Sequence, residues 1–386
     1  MRQTWAILLD AYRELNARKL FWLTMILSAL VVMAFGLVGI NEKGLKLVVW
    51  DVESPVVNTK LFTPGEFYKM VYVGFGIQFW LGWVATILGL VSTASMIPDF
   101  VSGGSIELTL SKPIGRLRLF LTKYLGGLIF TAAQVFVFSL ASFLVIGIRG
   151  GAWEPGLFWA VPIIVLLFSY LYAVSALVGL VTRSTIAAVL LTLLVWFLSF
   201  GVHSTEQVML GWRVQRELET ASGEKRLATQ QDELKNLEAS AKPAGTGEAG
   251  EEHAESKSSR DLERKREQIV KTERDLAEVR ASTENAGKWH MMAFAVKTAL
   301  PKTSETVDLL RRTLVKSAAL KVSEEHDAPD VLPFGRPKFP VTLKSFQERV
   351  MEVQNTRSVW WIIGTSLGFE AVVLGIAALI FCRRDF

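Results

Sequence analysis

Cysteine occurs once in the 386 residues, as Cys382, so an internal disulfide is impossible and a secreted disulfide scaffold is excluded. Histidine is nearly as scarce. His203, His253, His290 and His326 are scattered, with no metal-ligand spacing among them or to Cys382, so no metal site is expected. The chain also lacks a Gly-x-x-x-x-Gly-Lys-Ser/Thr phosphate loop, a His-Glu-x-x-His motif and a Gly-x-Ser-x-Gly elbow. It has no means of gripping ATP by a phosphate loop and nothing on which an intramembrane protease or esterase would stand. No catalytic residue is assigned, and no enzyme activity is expected of this chain alone.

Charge is sparse as well, at 20% of residues against 51% hydrophobic, and it is missing from six long stretches. Residues 20–40, 71–97, 124–148, 157–181, 185–205 and 358–381 contain a single Asp, Glu, Lys or Arg among them, Glu370. Each stretch reaches the roughly 20 residues that a helix rising about 1.5 Å per residue needs to cross a hydrocarbon core about 30 Å thick. A soluble globular enzyme is excluded. The expectation is an all-α polytopic membrane protein with six transmembrane helices. The first stretch is too long for a removable signal peptide and lacks a small-residue cleavage site, so it reads as a retained anchor.

The segment 206–357 holds 26 basic and 26 acidic residues, leaving 16 of the 42 basic and 11 of the 37 acidic residues for the rest of the chain. The net charge of +5 is therefore juxtamembrane, and no nucleic acid is implied. Positive residues hold short loops on the cytoplasmic side. Placing both termini inside makes Arg2, Arg13, Arg18, Lys19, Lys112, Arg116, Arg118, Lys123, Arg183, Arg383 and Arg384 cytoplasmic. Three domains follow. Residues 1–205 carry spans one to five with a cytoplasmic segment 98–118, 206–357 form an extracytoplasmic insertion, and 358–386 carry the sixth span and the cytoplasmic C-terminus.

Within the insertion, Leu227, Leu234 and Leu237, then Leu262, Ile269, Leu276 and Val279, recur at sevens, threes and fours among charged residues. The Ala, Gly, Ser and Glu-rich stretch 239–258, with Pro243, separates the two runs. An antiparallel coiled-coil hairpin over about 206–285 is expected between spans five and six, its core thinned by Gln230; two solvated single helices are the alternative. Residues 286–357 read as amphipathic and Pro-rich. Trp289 to Leu300 is an interfacial or partly re-entrant stretch, 302–322 is amphipathic with Val307, Leu310, Leu314 and Val315 on one side, and Pro329, Pro333, Pro337 and Pro340 extend the connector. In the first outward loop, Leu45 to Val52 is strand-like, and Thr63-Pro64-Gly65-Glu66 has the residues of a capped helix start.

Two features suggest function. A charged side chain at mid-span costs about 2.5–3.5 kcal/mol on insertion scales, so Glu370 must face protein or water. It is either functional or a protonated acid bonded to Gln78, Gln134 or a hydroxyl. Gly364 and Gly368 beside it give a Gly-x-x-x-Gly face for helix packing, and Gly82, Thr86 and Gly89 a looser stripe; packing within one bundle is the preferred reading for both. The second feature is the cytoplasmic segment, where Ile106, Leu108 and Leu110 lie beside Lys112, Arg116 and Arg118. It suits either an anionic lipid surface or a groove on a cytoplasmic partner.

Gly103-Gly104-Ser105-Ile106-Glu107, Leu110-Ser111-Lys112-Pro113-Ile114-Gly115-Arg116, Lys123-Tyr124-Leu125-Gly126-Gly127 and Arg383-Arg384-Asp385-Phe386, in this order among six spans, resemble the ATP-binding-cassette type-2 permeases. The likeness is greatest to the nitrous-oxide-reductase maturation and gliding-motility subgroup, and it covers about 1–205 and 358–386. It implies the permease subunit of an ATP-driven exporter in a bacterial cytoplasmic (inner) membrane. The implied partners are a separate ABC ATPase, which binds ATP and Mg2+ while this chain binds no cofactor directly, and a second copy or a homologous permease. It also implies that 98–118 is the coupling region, with Asp99, Glu107, Lys112, Arg116 and Arg118 as ATPase contacts. Asp99 stands where the family has glutamate, and the insertion exceeds the family's short outer re-entrant element, leaving room for an extracytoplasmic partner. Two rivals stand beside this reading: an envelope scaffold or signalling protein that acts through its hairpin, and an ion- or proton-coupled transporter that uses Glu370.

Overall fold

The computed structural model describes residues 19–42, 44–47, 50–53, 59, 63–102, 115–240, 251–314 and 332–384. Glu107 and Lys112 lie outside the described residues. Nearly everything described is helical, as expected of chains that must satisfy their backbone hydrogen bonds without water. Five helical stretches are long and apolar enough to cross a membrane: 64–101, 116–150, 155–182, 185–239 and 359–383. The first apolar run forms α1 (Lys19–Leu37), whose apolar part, Phe21–Leu37, is shorter than these five. The chain is a multi-pass membrane protein.

It divides into two compact units, one of residues 1–203, 297–326 and 357–386, the other of 204–296 and 327–356. The insertion expected as one segment over 206–357 thus contributes to both, with 297–314 grouping with the apolar helices.

In the first unit, α1 leads into a short antiparallel sheet, β1 (Val38–Ile40), β2 (Gly44–Leu47) and β3 (Trp50–Glu53), in the order β1-β2-β3. The strand-like run of the sequence is therefore two strands of a three-stranded ribbon. Thr63 then caps α2 (Pro64–Val71): its side chain accepts from the Glu66 backbone N–H, and Glu66 accepts from the Thr63 backbone N–H in return. The helix continues through a π-helical stretch, Tyr72–Ala85, into α3 (Thr86–Thr93) and α4 (Met96–Ser102). Then follow α5 (Arg116–Gly150), α6 (Ala160–Thr182) after a 3-10 turn at Pro155–Trp159, and α7 (Thr185–Ser240). The unit closes with α9 (Thr303–Leu314) and α11 (Val359–Arg383).

The centre of this unit is α6, which touches α3, α4, α5, α9, α11 and the π-helical stretch. Leu167, Phe168, Tyr170, Leu171 and Tyr172 are almost fully buried. Small residues set the approach distances. A methyl group on Gly127 would stand 2.7 Å from the Tyr172 ring, and one on Gly89 3.3 Å from Phe168. The Gly82, Thr86 and Gly89 stripe thus packs inside the bundle. Gly364 and Gly368 differ: among the described residues nothing stands within 4 Å of where a methyl group on either would be, so no described residue makes the packing expected of that pair.

The second unit contains the distal part of α7, α8 (Glu251–Ala299) up to residue 296, and α10 (Leu343–Asn355). Trp289 to Ala299 is not a separate element but the end of α8, and Thr303–Leu314 splits off as α9. The polar parts of α7 and α8 run antiparallel, joined by Thr220 to Thr283 at 3.0 Å, Glu224 to Arg280 at 2.7 Å and Glu238 to Arg266 at 2.8 Å. Ile269, Leu276 and Val279 are buried and Leu227, Leu234 and Leu262 half-buried, whereas Leu237 is exposed. Gln230 is buried too, and its side-chain oxygen has no hydrogen-bond partner among the described residues.

Packing here comes from the Pro-rich connector as much as from the two helices. Phe334 sits over Gly211 and Phe339 over Gly223, where an added methyl group would meet the rings at 2.8 Å. Buried Gln215 fixes the register, accepting from the Phe334 backbone N–H and donating to the Gly335 carbonyl, both at 3.3 Å. Gly335 has φ +89°, a conformation that other residues rarely adopt. Gly223→Ala should overpack this contact and destabilise the second unit by about 1–3 kcal/mol. Faster proteolysis of the connector around Phe339, with the apolar helices still protected, is the expected readout.

Candidate functional site

Three places in the first unit gather polar groups that an apolar bundle would otherwise avoid. The first is mid-span. Glu370, on α11, accepts hydrogen bonds from Tyr124 Oη of α5 at 2.9 Å and Ser169 Oγ of α6 at 2.8 Å. Tyr124 also reaches the Ser169 carbonyl at 2.9 Å and stacks on Tyr172 at 5.0 Å. The partners of Glu370 are hydroxyls, as one sequence reading allowed, and neither named glutamine serves. Gln78 donates to Asp308 at 3.3 Å, and Gln134 Nε2 has no hydrogen-bond partner among the described residues. Glu370 thereby ties three helices together.

The second place is the end of the bundle that holds Arg116. There Arg116 donates to the Cys382 carbonyl at 3.1 Å and the Arg384 carbonyl at 2.9 Å, closing the C-terminal turn of α11. Arg384 in turn donates to the Leu180 carbonyl at 2.7 Å near the end of α6. Cations on terminal carbonyls are favourable because those carbonyls have no partner within their helices. Pro98 is seated against Gly179 of α6, within 3.0 Å of where a methyl group would stand. Lys123 is buried, its Nζ 5.4 Å from the centre of the Phe100 ring, and Phe100 and Phe120 both lie against Phe381. Of the five expected contact residues, Asp99 is exposed, Arg116 is committed to the two carbonyls, and Arg118 lies in the first turn of α5.

The third place, which sequence reasoning did not find, is at the opposite end of α11. Glu305, in the first turn of α9, is buried among three basic side chains: His203 Nδ1 of α7 at 3.2 Å, Lys297 of α8, and Arg357, ahead of α11, at 3.6 Å. The Lys297 and Arg357 side chains are only 4% and 9% exposed. Burial alone would raise the Glu305 carboxyl, but His203 and Lys297 outweigh it and hold the group down at about 2. Lys302 is buried beside it, its Nζ 4.6 Å from the Trp361 ring centre and donating to the Thr298 carbonyl at 3.2 Å. Burial pulls Lys302 down to about 8, against the opposing pull of Glu305. Arg312 donates to the Arg357 carbonyl at 3.2 Å.

Beside this cluster lies a cavity of about 240 Å3 among the π-helical stretch, α6, α7 and α9. Its apolar wall is built from Trp83, Trp196 and Phe200, and its polar rim includes Gln78, His203 and Asp308. π-helical geometry is rare over more than one turn, and here it covers the segment that presents Gln78, Gly82 and Trp83.

The chain matches no protein-family model, no curated protein and no solved structure in the comparisons made. Removing the Glu305 charge would take one ion-pair partner from buried Lys297 and Arg357. Glu305→Gln should therefore destabilise the first unit, breaking buried ion pairs by removing a shared partner. Thermal unfolding in detergent should show a smaller loss for Glu305→Gln combined with Lys297→Met than the two single losses added together.

Proposed function

We propose that the chain is the permease subunit of an ATP-driven exporter of the type-2 ATP-binding-cassette class, located in a bacterial cytoplasmic membrane with both termini inside. In this reading α1 is the first of six spans, about 26 Å of apolar helix being enough when flanking residues reach the interface. The antiparallel arms of α7 and α8 form an extracytoplasmic coiled-coil hairpin between the fifth and sixth spans. A separate ATPase binds ATP and Mg2+, and a second copy or a homologous permease completes the pathway.

The observation that carries the reading is the way 98–118 is held. One end is seated by Pro98 on Gly179 of α6, and the other by Arg116 on the terminal carbonyls of α11. Any force on the segment therefore reaches α4, α5, α6 and α11 at once. Glu370 cross-ties the last three at mid-span, so they respond as a group. A chain with no phosphate loop of its own needs an outside motor to supply that force, and this is the place to apply it.

The alternative from a different class is the envelope scaffold, in which the apolar helices only anchor the hairpin. The two separate on what the full chain retains when solubilised gently from its native host and analysed by mass spectrometry. Arg116 is a poor probe because its substitution would uncap α11, so the charges to reverse are Glu107→Lys with Lys112→Glu. Wild type should retain a phosphate-loop ATPase, and the double variant should lose it at unchanged thermal stability. Recovery of envelope proteins held through 206–357, with no ATPase in any detergent, would favour the scaffold.

A further inference from the structure

The cavity beside α9 has a more specific chemistry than its size suggests. Trp83 stacks on Trp196, with centroids 4.8 Å apart and planes 18° apart, and Phe200 stands across Trp83 at 5.1 Å and 82°. The rings therefore form a corner, and aromatic faces carry negative potential. At the rim, Asp308 is the only carboxylate among the described lining residues. Gln78 Nε2 at 3.3 Å and Arg311 at 3.6 Å both approach the same carboxylate oxygen, Oδ1. Water screens the charge of half-exposed Arg311, and half-buried Arg312 also lies within electrostatic reach, so Asp308 is partly neutralised by both. Among the described residues neither lysine nor arginine lines the cavity, and His203 at its rim is paired with Glu305.

We infer that this cavity is a binding site for a lipophilic ammonium, an apolar or aromatic body carrying a protonated amine. The body packs against Trp83, Trp196 and Phe200, and the ammonium donates to Asp308. An anion would meet both the π faces and the carboxylate, and a neutral alcohol would forgo the charge-assisted bond. A cavity of about 240 Å3 suits one small amine or the head of a larger one. The site rests on the export reading only in that it makes such amines the cargo class.

The test uses the full chain in nanodiscs of uncharged lipid, with three probes of one shape: 2-phenylethylamine, 2-phenylethanol and 3-phenylpropanoate. Binding is followed at pH 7 by ligand-observed NMR. The amine should bind about tenfold or more tightly than the other two, the margin expected of one hydrogen bond to a charged group. Asp308→Asn should remove that margin and leave the alcohol unchanged, and Phe200→Leu should weaken amine and alcohol alike. Equal binding of the three probes by wild type, or preference for the acid, overturns the site without recourse to any variant. Because no ATPase is present, amine preference in a chain that retains no ATPase would sink the export reading and keep the site. An ATPase partner without amine preference would do the reverse.

Discussion

A carboxylate that must stay charged in a buried place is the constraint around which the first unit is arranged. Glu305 collects His203 from α7, Lys297 from α8 and Arg357 from the approach to α11. Each of these would be costly to bury alone, and together they fix α9 against α6 and the π-helical stretch. The buried apolar face of α9, Val307, Leu309 and Leu310, then completes the bundle, and Val307 and Asp308 reach the cavity. Without the ion cluster, a twelve-residue helix with this much charge would have little reason to leave water.

The two ends of α11 are held by different physics. At one end, buried ion pairs surround the chain just before the helix begins; at the other, Arg116 and Arg384 close free carbonyls of α11 and α6. Between them a single acid, Glu370, binds hydroxyls of α5 and α6. These groups give α5, α6 and α11 fixed relative positions in a setting where apolar burial discriminates little between one helix neighbour and another. A bundle tied in this way transmits a displacement at its Arg116 end instead of absorbing it by side-chain slippage.

Much of this was legible in the sequence because hydropathy, caps and breakers are local. The long apolar runs became helices, Thr63 and Glu66 made the cap they spelled out, and the two charged runs became long helices facing one another. What was not legible depends on contacts far apart in the chain. His203, Lys297, Glu305 and Arg357 sit among the neutralised charges of a hydrophilic insertion, and nothing in their spacing distinguishes them from solvated residues. Arg116 reads as a free basic contact until its partners, more than 260 residues away, are seen. Gly211 and Gly223 resemble ordinary helix weakeners, and only the phenylalanines of the connector explain them. The π-helical stretch has no composition signal at all.

Sidedness is the part of the proposal on which the account turns: in it the 98–118 segment faces the cell interior and the polar arms of α7 and α8 face outward. The lone native cysteine makes it directly measurable. Cys382 is kept in one version and replaced by serine in a second, which carries a new cysteine at exposed Ser259 of α8. Both are exposed to a membrane-impermeant maleimide on intact spheroplasts and again after permeabilisation. The account predicts that Ser259→Cys labels at once and Cys382 only after permeabilisation. Labelling of both from the same side, or of Cys382 alone on intact spheroplasts, would contradict it.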